Sequence, residues 1–250
     1  MLKEDWEFNV IGAYNYRKPG PLQYYFDYVK QNINKTEGDI LEAGVYQGRS
    51  LLGMALMLKE LGSDKKVYGF DTFTGFPPAY HEFDKFENFE RLFNEGLITN
   101  EHYLKHLKNS EMRQLLITEK VDEKNISLSG NFGNNSLDGL KKKIEYLGLD
   151  NVVLVPGPFE ETMSNSSAYT NNWLSVMFDC DLYNSYMVGL NFTWDKVSKG
   201  GFIYLDEYFS LKFPGARIAV DEFLSDKAEK PFMHKLIVGD FERWSIIKST

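Results

Sequence analysis

The 250-residue chain has one cysteine, four histidines and no excess of basic charge. Each shortage excludes something. A lone Cys180 allows no internal disulfide framework and no cysteine-based zinc centre, and it reads as a small buried filler. With 28 basic against 36 acidic residues, net −8, neither nucleic acid nor an anionic membrane surface is an expected partner. No apolar run approaches the roughly 20 residues needed to cross a bilayer, so no membrane span is expected. The opening Met1-Leu2-Lys3-Glu4-Asp5-Trp6 has no apolar signal core, and the expected setting is cytoplasmic. Also missing is Gly-x-Gly-x-x-Gly, the fingerprint of a dinucleotide loop.

What remains is an ordinary globular composition, 43% hydrophobic and 26% charged. The length fits one α/β domain with an elaboration, or at most two small domains. Short apolar strands are expected at Ile40–Glu42, Lys66–Asp71, Val152–Val155, Leu174–Phe178 and Phe202–Leu205. Helices lie between them, at Ser50–Leu61, from Ser136, and at Tyr186–Val197; another follows at Arg217–Leu224. That alternation gives a parallel sheet covered on both faces. Leu236-Ile237-Val238 and Trp244–Ile247 flank a turn and read as a hairpin. Residues 1–37, rich in tyrosine, read as an N-terminal helix and lid. Residues 78–124 are too long for a strand connection and read as a helical insertion, with Phe83, Phe86, Phe89 and Phe93 at helical spacing.

The most informative stretch runs from Gly38 to Ser50. A buried strand breaks at Gly44 and turns through Gly48 straight into a helix, exposing backbone N–H groups at a helix N-terminus. The loop begins with an acid, Glu42, which would repel a pyrophosphate and suit a ligand carrying an ammonium or sulfonium. A second acid, Asp71, ends the next strand. Further on, Asp179 and Asp181 follow the fourth strand and Asp206-Glu207 the fifth. If those strands are neighbours, four carboxylates meet at one sheet edge and repel unless a cation binds or some protonate. Residues 206 and 207 point to opposite faces of a regular strand, so both reach one ion only if the strand has ended. All-oxygen donors favour a hard ion, Mg²⁺ first, with Mn²⁺ or Ca²⁺ as alternatives.

Glu42-x-Gly44-Val45-x-x-Gly48, Gly69-Phe70-Asp71-Thr72-Phe73-x-Gly75-Phe76-Pro77, Phe178-Asp179-Cys180-Asp181-Leu182-Tyr183 and Gly200–Tyr208 occur in this order. Together with Gly215-Ala216-Arg217 and Ala219–Phe223, they resemble the macrocin O-methyltransferase family. The resemblance implies a class I methyltransferase fold, a mostly parallel seven-stranded Rossmann-like sheet ending in an antiparallel hairpin. It implies S-adenosylmethionine (SAM) as cofactor, with Glu42 at its ammonium and Asp71 at both ribose hydroxyls. Thr72 and Phe73 would flank the ribose and adenine, with Ser136, Gly157 and Phe159 completing the adenine wall. Ala43, Gly44, Val45, Tyr46, Gly48, Ser50 and Asp179 complete the implied cofactor contacts. For the metal it implies Asp179, Asp206 and Glu207 as ligands of Mg²⁺, and for catalysis Asp181 as general base. One departure stands out: the family often has Asp-Asp where this chain has Asp206-Glu207.

The implied activity is methyl transfer to a hydroxyl of a sugar or sugar-bearing metabolite, with a small molecule or glycan precursor as acceptor. A nitrogen or phosphorylated acceptor is an alternative, as are an NAD-dependent sugar oxidoreductase and a non-catalytic SAM-binding subunit. The Glu-led loop opposes the oxidoreductase reading, and the intact Asp179/Asp181/Asp206 set opposes the non-catalytic one. The sequence leaves a homo-oligomer open. His102 and His106 have helical metal-ligand spacing but no further ligand in view, and His234 reads as structural.

Overall fold

The fold is described from a computed structural model of the chain, for residues 2–164, 169, 172–236 and 240–249. Five strands run parallel: β1 (Asp39–Ala43), β2 (Val67–Asp71), β3 (Val152–Pro156), β4 (Trp173–Phe178) and β5 (Val197–Leu205). Two short strands, β6 (Phe232–Met233) and β7 (Trp244–Ile247), close the sheet in antiparallel sense. The order is β3-β2-β1-β4-β5-β7-β6. The chain leaves β1 in one direction across the sheet and enters β4 in the other. The switch point, where open α/β sheets bind ligands, therefore lies between the carboxyl ends of β1 and β4.

Burial explains the central strands. Every residue of β4 is buried, as expected of a strand covered on both faces. One face carries α3 (Arg49–Glu60), buried continuously from Ser50 to Leu58. The N-terminal residues complete that layer as two helices, α1 (Asp5–Ile11) and α2 (Gln23–Asn32). Phe8, Tyr25, Phe26 and Val29 join the same core as Leu51, Met54 and Tyr204. Tyr14 stacks on Phe26 at 5.0 Å, and the Tyr204 hydroxyl donates to the Pro21 carbonyl at 3.2 Å. The segment read as a lid is thus a core layer, and none of its residues lines the main cleft.

The other face carries α8 (Tyr183–Thr193) and α9 (Gly215–Phe223) over Phe70, Phe178, Ile203 and Leu205. The insertion packs beside them. It contains a 3₁₀ turn (Glu82–Asp84), α4 (Glu87–Asn94) and α5 (Asn100–Gln114). Its phenylalanine stripe has found partners: Phe89 stacks on His106 at 3.8 Å, Phe93 on Tyr103 at 5.1 Å, and Phe83 meets Tyr183 edge-on at 5.0 Å. His102 and His106 are buried, each with a ring nitrogen on a carbonyl oxygen, of Ser210 at 2.6 Å and Leu211 at 2.9 Å. Burial presses the His102 imidazole down to about 4. Both histidines are braces between the insertion and the segment after β5.

Most element limits match the sequence reading within a few residues. The hairpin differs. Its first strand is Phe232–Met233, ahead of the expected Leu236-Ile237-Val238; Ile237 and Val238 lie outside the described residues. The register pairs Phe232 with Ser245 and Met233 with Trp244. The fifth strand also begins earlier than expected, at Val197, so Gly200 and Gly201 lie inside it.

Candidate active site

A cleft of about 450 Å³ opens at the carboxyl ends of β1, β2 and β4. Its floor begins with the glycine loop. Gly44 has φ +92°, and a Cβ there would overlap the Asp179 carbonyl oxygen. The loop after β1 therefore lies directly against the residue ending β4. Backbone bonds continue the ladder into the loops, Gly44 N–H to Phe70 O at 2.9 Å and Asp179 N–H to Ala43 O at 2.9 Å. Gly48, at φ +78°, is the N-cap of α3 and backs onto Leu140.

Asp71 clamps this loop. One carboxylate oxygen accepts from the backbone N–H groups of Val45 at 2.7 Å and Tyr46 at 2.8 Å; the other accepts from Phe73 N–H at 2.6 Å. Asp71 lines the cleft together with Gly44, Tyr46, Thr72, Phe159, Asp179 and Asp181. Thr72 also donates its hydroxyl to the Gly75 carbonyl at 3.0 Å.

Other residues of the expected cofactor set lie around this cleft without lining it. Glu42 is fully buried beneath α3, where one carboxylate oxygen accepts from the Ser50 hydroxyl at 2.7 Å and the other has no hydrogen-bond partner among the described residues. Burial holds its carboxyl well above the usual carboxylate range. Ala43 and Val45 are buried in the core, and Phe73 packs there too. Gly157 turns the chain after β3, its N–H donating to the Asp71 carbonyl at 2.9 Å. Ser136 is exposed and caps α6 (Leu137–Tyr146), accepting from Gly139 N–H at 3.0 Å; its neighbour Asn135 is the residue that lines the cleft. A serine two residues nearer to or farther from a helix start cannot be placed from sequence, and capping takes it here.

The acids form the far end of the floor. β5 ends at Leu205, and Asp206–Tyr208 is a 3₁₀ turn, so the alternation of a strand no longer separates Asp206 from Glu207. Asp179, Asp181 and Glu207 offer carboxylate oxygens all within 4.8 Å of one another. Asp206 is outside this group and pairs with Arg243 Nη1 at 2.9 Å. Arg243, immediately before β7, also holds Asp240 at 2.7 Å. The expected ligand set of Asp179, Asp206 and Glu207 is therefore not the set brought together. Asp181, expected as base, is the third member of the trio.

Desolvation and mutual repulsion act on the trio. Burial, then the charge of Asp206, pushes the Asp179 carboxyl up to about 7. Burial and the neighbouring acids also raise Asp181 and Glu207. No Lys or Arg forms an ion pair with any of the three among the described residues. Glu207 accepts from the Tyr186 hydroxyl at 2.8 Å, and the longer Glu side chain is anchored from within the core. An oxygen-only, unpaired and crowded donor set suits a hard divalent cation.

Backbone strain gathers at this cleft. Tyr46, Phe132 and Asp181 line it with φ of +50°, +59° and +59°, and Phe73 beside it has +55°. Side chains in that region cost free energy and persist where surrounding structure enforces them. Sequence reasoning missed Asp84, Tyr80, Phe132 and Arg243. Asp84, in the insertion, is buried and accepts from Tyr183 N–H at 2.8 Å, at the start of α8; burial raises it to about 6. None of these four lies in a motif read from the sequence.

The sheet order and the cleft at its switch point define a class I methyltransferase fold, and solved methyltransferases share it. The O-methyltransferase NovP superposes with a TM-score of 0.65 at 21% identity, covering 92% of this chain and 79% of NovP. The calicheamicin methyltransferase CalS11 gives 0.60 at 20% identity, covering 90% and 77%. The chain belongs to the macrocin O-methyltransferase family (TylF), whose model matches residues 21–110 and 118–238. Among curated proteins it is 25% identical over 211 residues to 8-demethyl-8-(2,3-dimethoxy-alpha-L-rhamnosyl)-tetracenomycin-C 4'-O-methyltransferase of Streptomyces olivaceus, covering 83% of this chain and 66% of that one. It is 28% identical over 189 residues to mycinamicin III 3''-O-methyltransferase of Micromonospora griseorubida, covering 74% and 60%. The matches thus span about three-fifths to two-thirds of the length of these relatives.

Proposed function

We propose that the chain is a SAM-dependent O-methyltransferase acting on a sugar hydroxyl, with Mg²⁺ held by Asp179 and Glu207 beside Asp181. The observation that carries this reading is the direct contact of Gly44 with Asp179. It makes the cofactor loop and the acid cluster two ends of one floor. A methyl donor on the loop and a hydroxyl at the acids would then be neighbours, and alignment is a large part of such a displacement. The relatives named for O-methylation of a rhamnosyl-tetracenomycin and of mycinamicin III support a sugar-bearing acceptor of the antibiotic-biosynthesis kind. The Glu-led loop, without dinucleotide glycines, opposes the NAD-dependent reading.

Each residue has a task in this reading. Asp71 fixes the glycine loop and presents its remaining lone pairs to the ribose hydroxyls. Phe159 and Thr72 bound the adenosine side. Glu42 lies behind α3 and acts on the ammonium only through the loop it supports, unless that loop moves. Asp179 and Glu207 would hold Mg²⁺, with Asp206 able to join by leaving Arg243. Bound Mg²⁺ would lower the pKa of an acceptor hydroxyl. Asp181 accepts the hydroxyl proton as general base; its place within the trio favours a second reading, as a third ligand.

Turnover separates these roles. S-adenosylhomocysteine release is measured from a glycoside acceptor in EDTA and then across a Mg²⁺ titration. Wild type should be silent in EDTA and recover with Mg²⁺. Asp181→Asn should lose about 10²–10⁴-fold in kcat, as for loss of a general base, with no rescue by Mg²⁺. Rescue would make Asp181 a ligand. Full activity in EDTA would remove the metal from the reaction.

A further inference from the structure

Asp206 sits next to Glu207 in the chain yet is held outside the acid group, and the antiparallel end of the sheet supplies what holds it. β7 runs against β5 with Leu205 opposite Trp244. One step past that pair Arg243 meets Asp206, and Arg243 Nη1 donates to Asp206 Oδ1 at 2.9 Å. Arg243 is itself fixed. Its Nη2 donates to Asp240 Oδ1 at 2.7 Å and its Nε to Asp240 Oδ2 at 3.1 Å, a two-point fork. Its backbone carbonyl accepts from His234 N–H at 2.8 Å, just after β6. The side chains of Arg243 and Asp240 are each 13% exposed and that of Asp206 27%, so solvent screens them less than an open surface pair.

None of these three residues lines the cleft, so they act from behind its floor. They are close enough to act. After burial, the charges of Asp206 and Arg243 both influence the Asp179 carboxyl, with opposite sign. Two arrangements of Asp206 therefore compete. In the one observed, its carboxylate is on Arg243. Turned toward Asp179 and Glu207, it would offer a cation a further oxygen donor. Leaving Arg243 costs a charge-assisted hydrogen bond but strands no buried charge, because the guanidinium keeps its fork on Asp240. A ligand whose competent state is only partly populated binds more weakly by that fraction. The share of molecules with Asp206 released would then scale the affinity for the cation.

Resting on the Mg²⁺ reading above, we infer that Asp240 and Arg243 form a latch that withholds Asp206 from the cation and so sets the affinity of the site. Arg243 is a positioning residue, which acts through Asp206 and touches no reacting atom. Two substitutions should move the affinity in opposite directions. Removing the guanidinium frees Asp206, and the site gains a donor. Removing the charge of Asp240 leaves Asp206 as the one carboxylate ion-paired with Arg243 among the described residues, so the latch closes more firmly. Neither substitution has an effect once Asp206 itself has lost its charge.

The test is calorimetric titration of Mg²⁺ into the S-adenosylhomocysteine complex at pH 7.5. The proteins are wild type, Arg243→Met and Asp240→Asn, each with and without Asp206→Asn, a double-mutant cycle. Arg243→Met should bind Mg²⁺ about tenfold more tightly than wild type, and Asp240→Asn about threefold more weakly. Both differences should vanish in the Asp206→Asn background. Equal or weaker binding by Arg243→Met would overturn the latch, as would equal or tighter binding by Asp240→Asn. Differences that persist with Asp206→Asn would also overturn it, because the charges would then act on the cation directly and not through Asp206. Asp240→Asn and its double variant carry the test alone if Arg243→Met does not fold. Absence of Mg²⁺ binding in every protein, wild type included, would instead strike the metal reading beneath it.

Discussion

At the scale of single residues, Gly44 and Asp71 decide whether the cofactor loop exists. A side chain at Gly44 must displace the backbone of Asp179 and adopt a left-handed φ. Gly44→Ala should therefore destabilise the fold by about 1–3 kcal/mol, the usual range for overpacking, and abolish SAM binding. Urea denaturation and calorimetry read the two effects separately. Asp71→Ala removes the acceptor for three backbone N–H groups. Hydrogen bonds to a charged group are worth about 1.5–3 kcal/mol each, so SAM affinity should fall tenfold or more alongside a loss of stability. A stability loss with unchanged SAM affinity would reduce Asp71 to a loop clamp. The identities of these two residues were legible, because a glycine-broken strand and an acid at the next strand end have few uses. Where Glu42 points was not. Its position at the end of β1 is the same whether it faces a ligand or the underside of α3, and only the helix packing selects the second.

At the scale of elements, strands and helices followed from hydrophobic pattern, with limits displaced by a few residues. The hairpin was the exception, since two-residue pairing at Phe232–Met233 carries almost no periodic signal, and register depends on where β7 meets β5. That register also decides the fate of Asp206, because it brings Arg243 to it. The insertion illustrates tertiary capture. Its aromatic stripe was visible, but its partners, two histidines anchored on carbonyls far along the chain, were not. They give a pH prediction. His102 titrates near 6.5 when unfolded and near 4 when folded, so its contribution is complete above pH 6.5 and is lost as pH falls toward 4. At about 1.4 kcal/mol per unit the loss is on the order of 3 kcal/mol. His102→Phe cannot titrate, so the stability gap between wild type and variant should narrow on acidification from pH 7.5 to 4.5 in urea denaturation. A constant or widening gap would contradict the burial argument.

At the scale of the whole molecule, the sheet order brings the ends of β1, β4 and β5 side by side, and everything proposed for function follows from that adjacency. It joins a glycine loop to a carboxylate cluster and sets the insertion's Asp84 at the start of α8. Composition and spacing alone located the acids, while their grouping needed the 3₁₀ turn at Asp206 and the Arg243 pair. No helix among the described residues is long and apolar enough to cross a membrane. The central claim is that Asp179 and Glu207, beside Asp181, bind one divalent cation next to the cofactor loop. Its most direct measurement is calorimetric titration of Mg²⁺ into the S-adenosylhomocysteine complex of wild type, Asp179→Asn and Asp206→Asn at pH 7.5. One equivalent should bind wild type, at least tenfold more weakly in Asp179→Asn, with a smaller loss in Asp206→Asn. Absence of Mg²⁺ binding to wild type, or equal binding to Asp179→Asn, would contradict it.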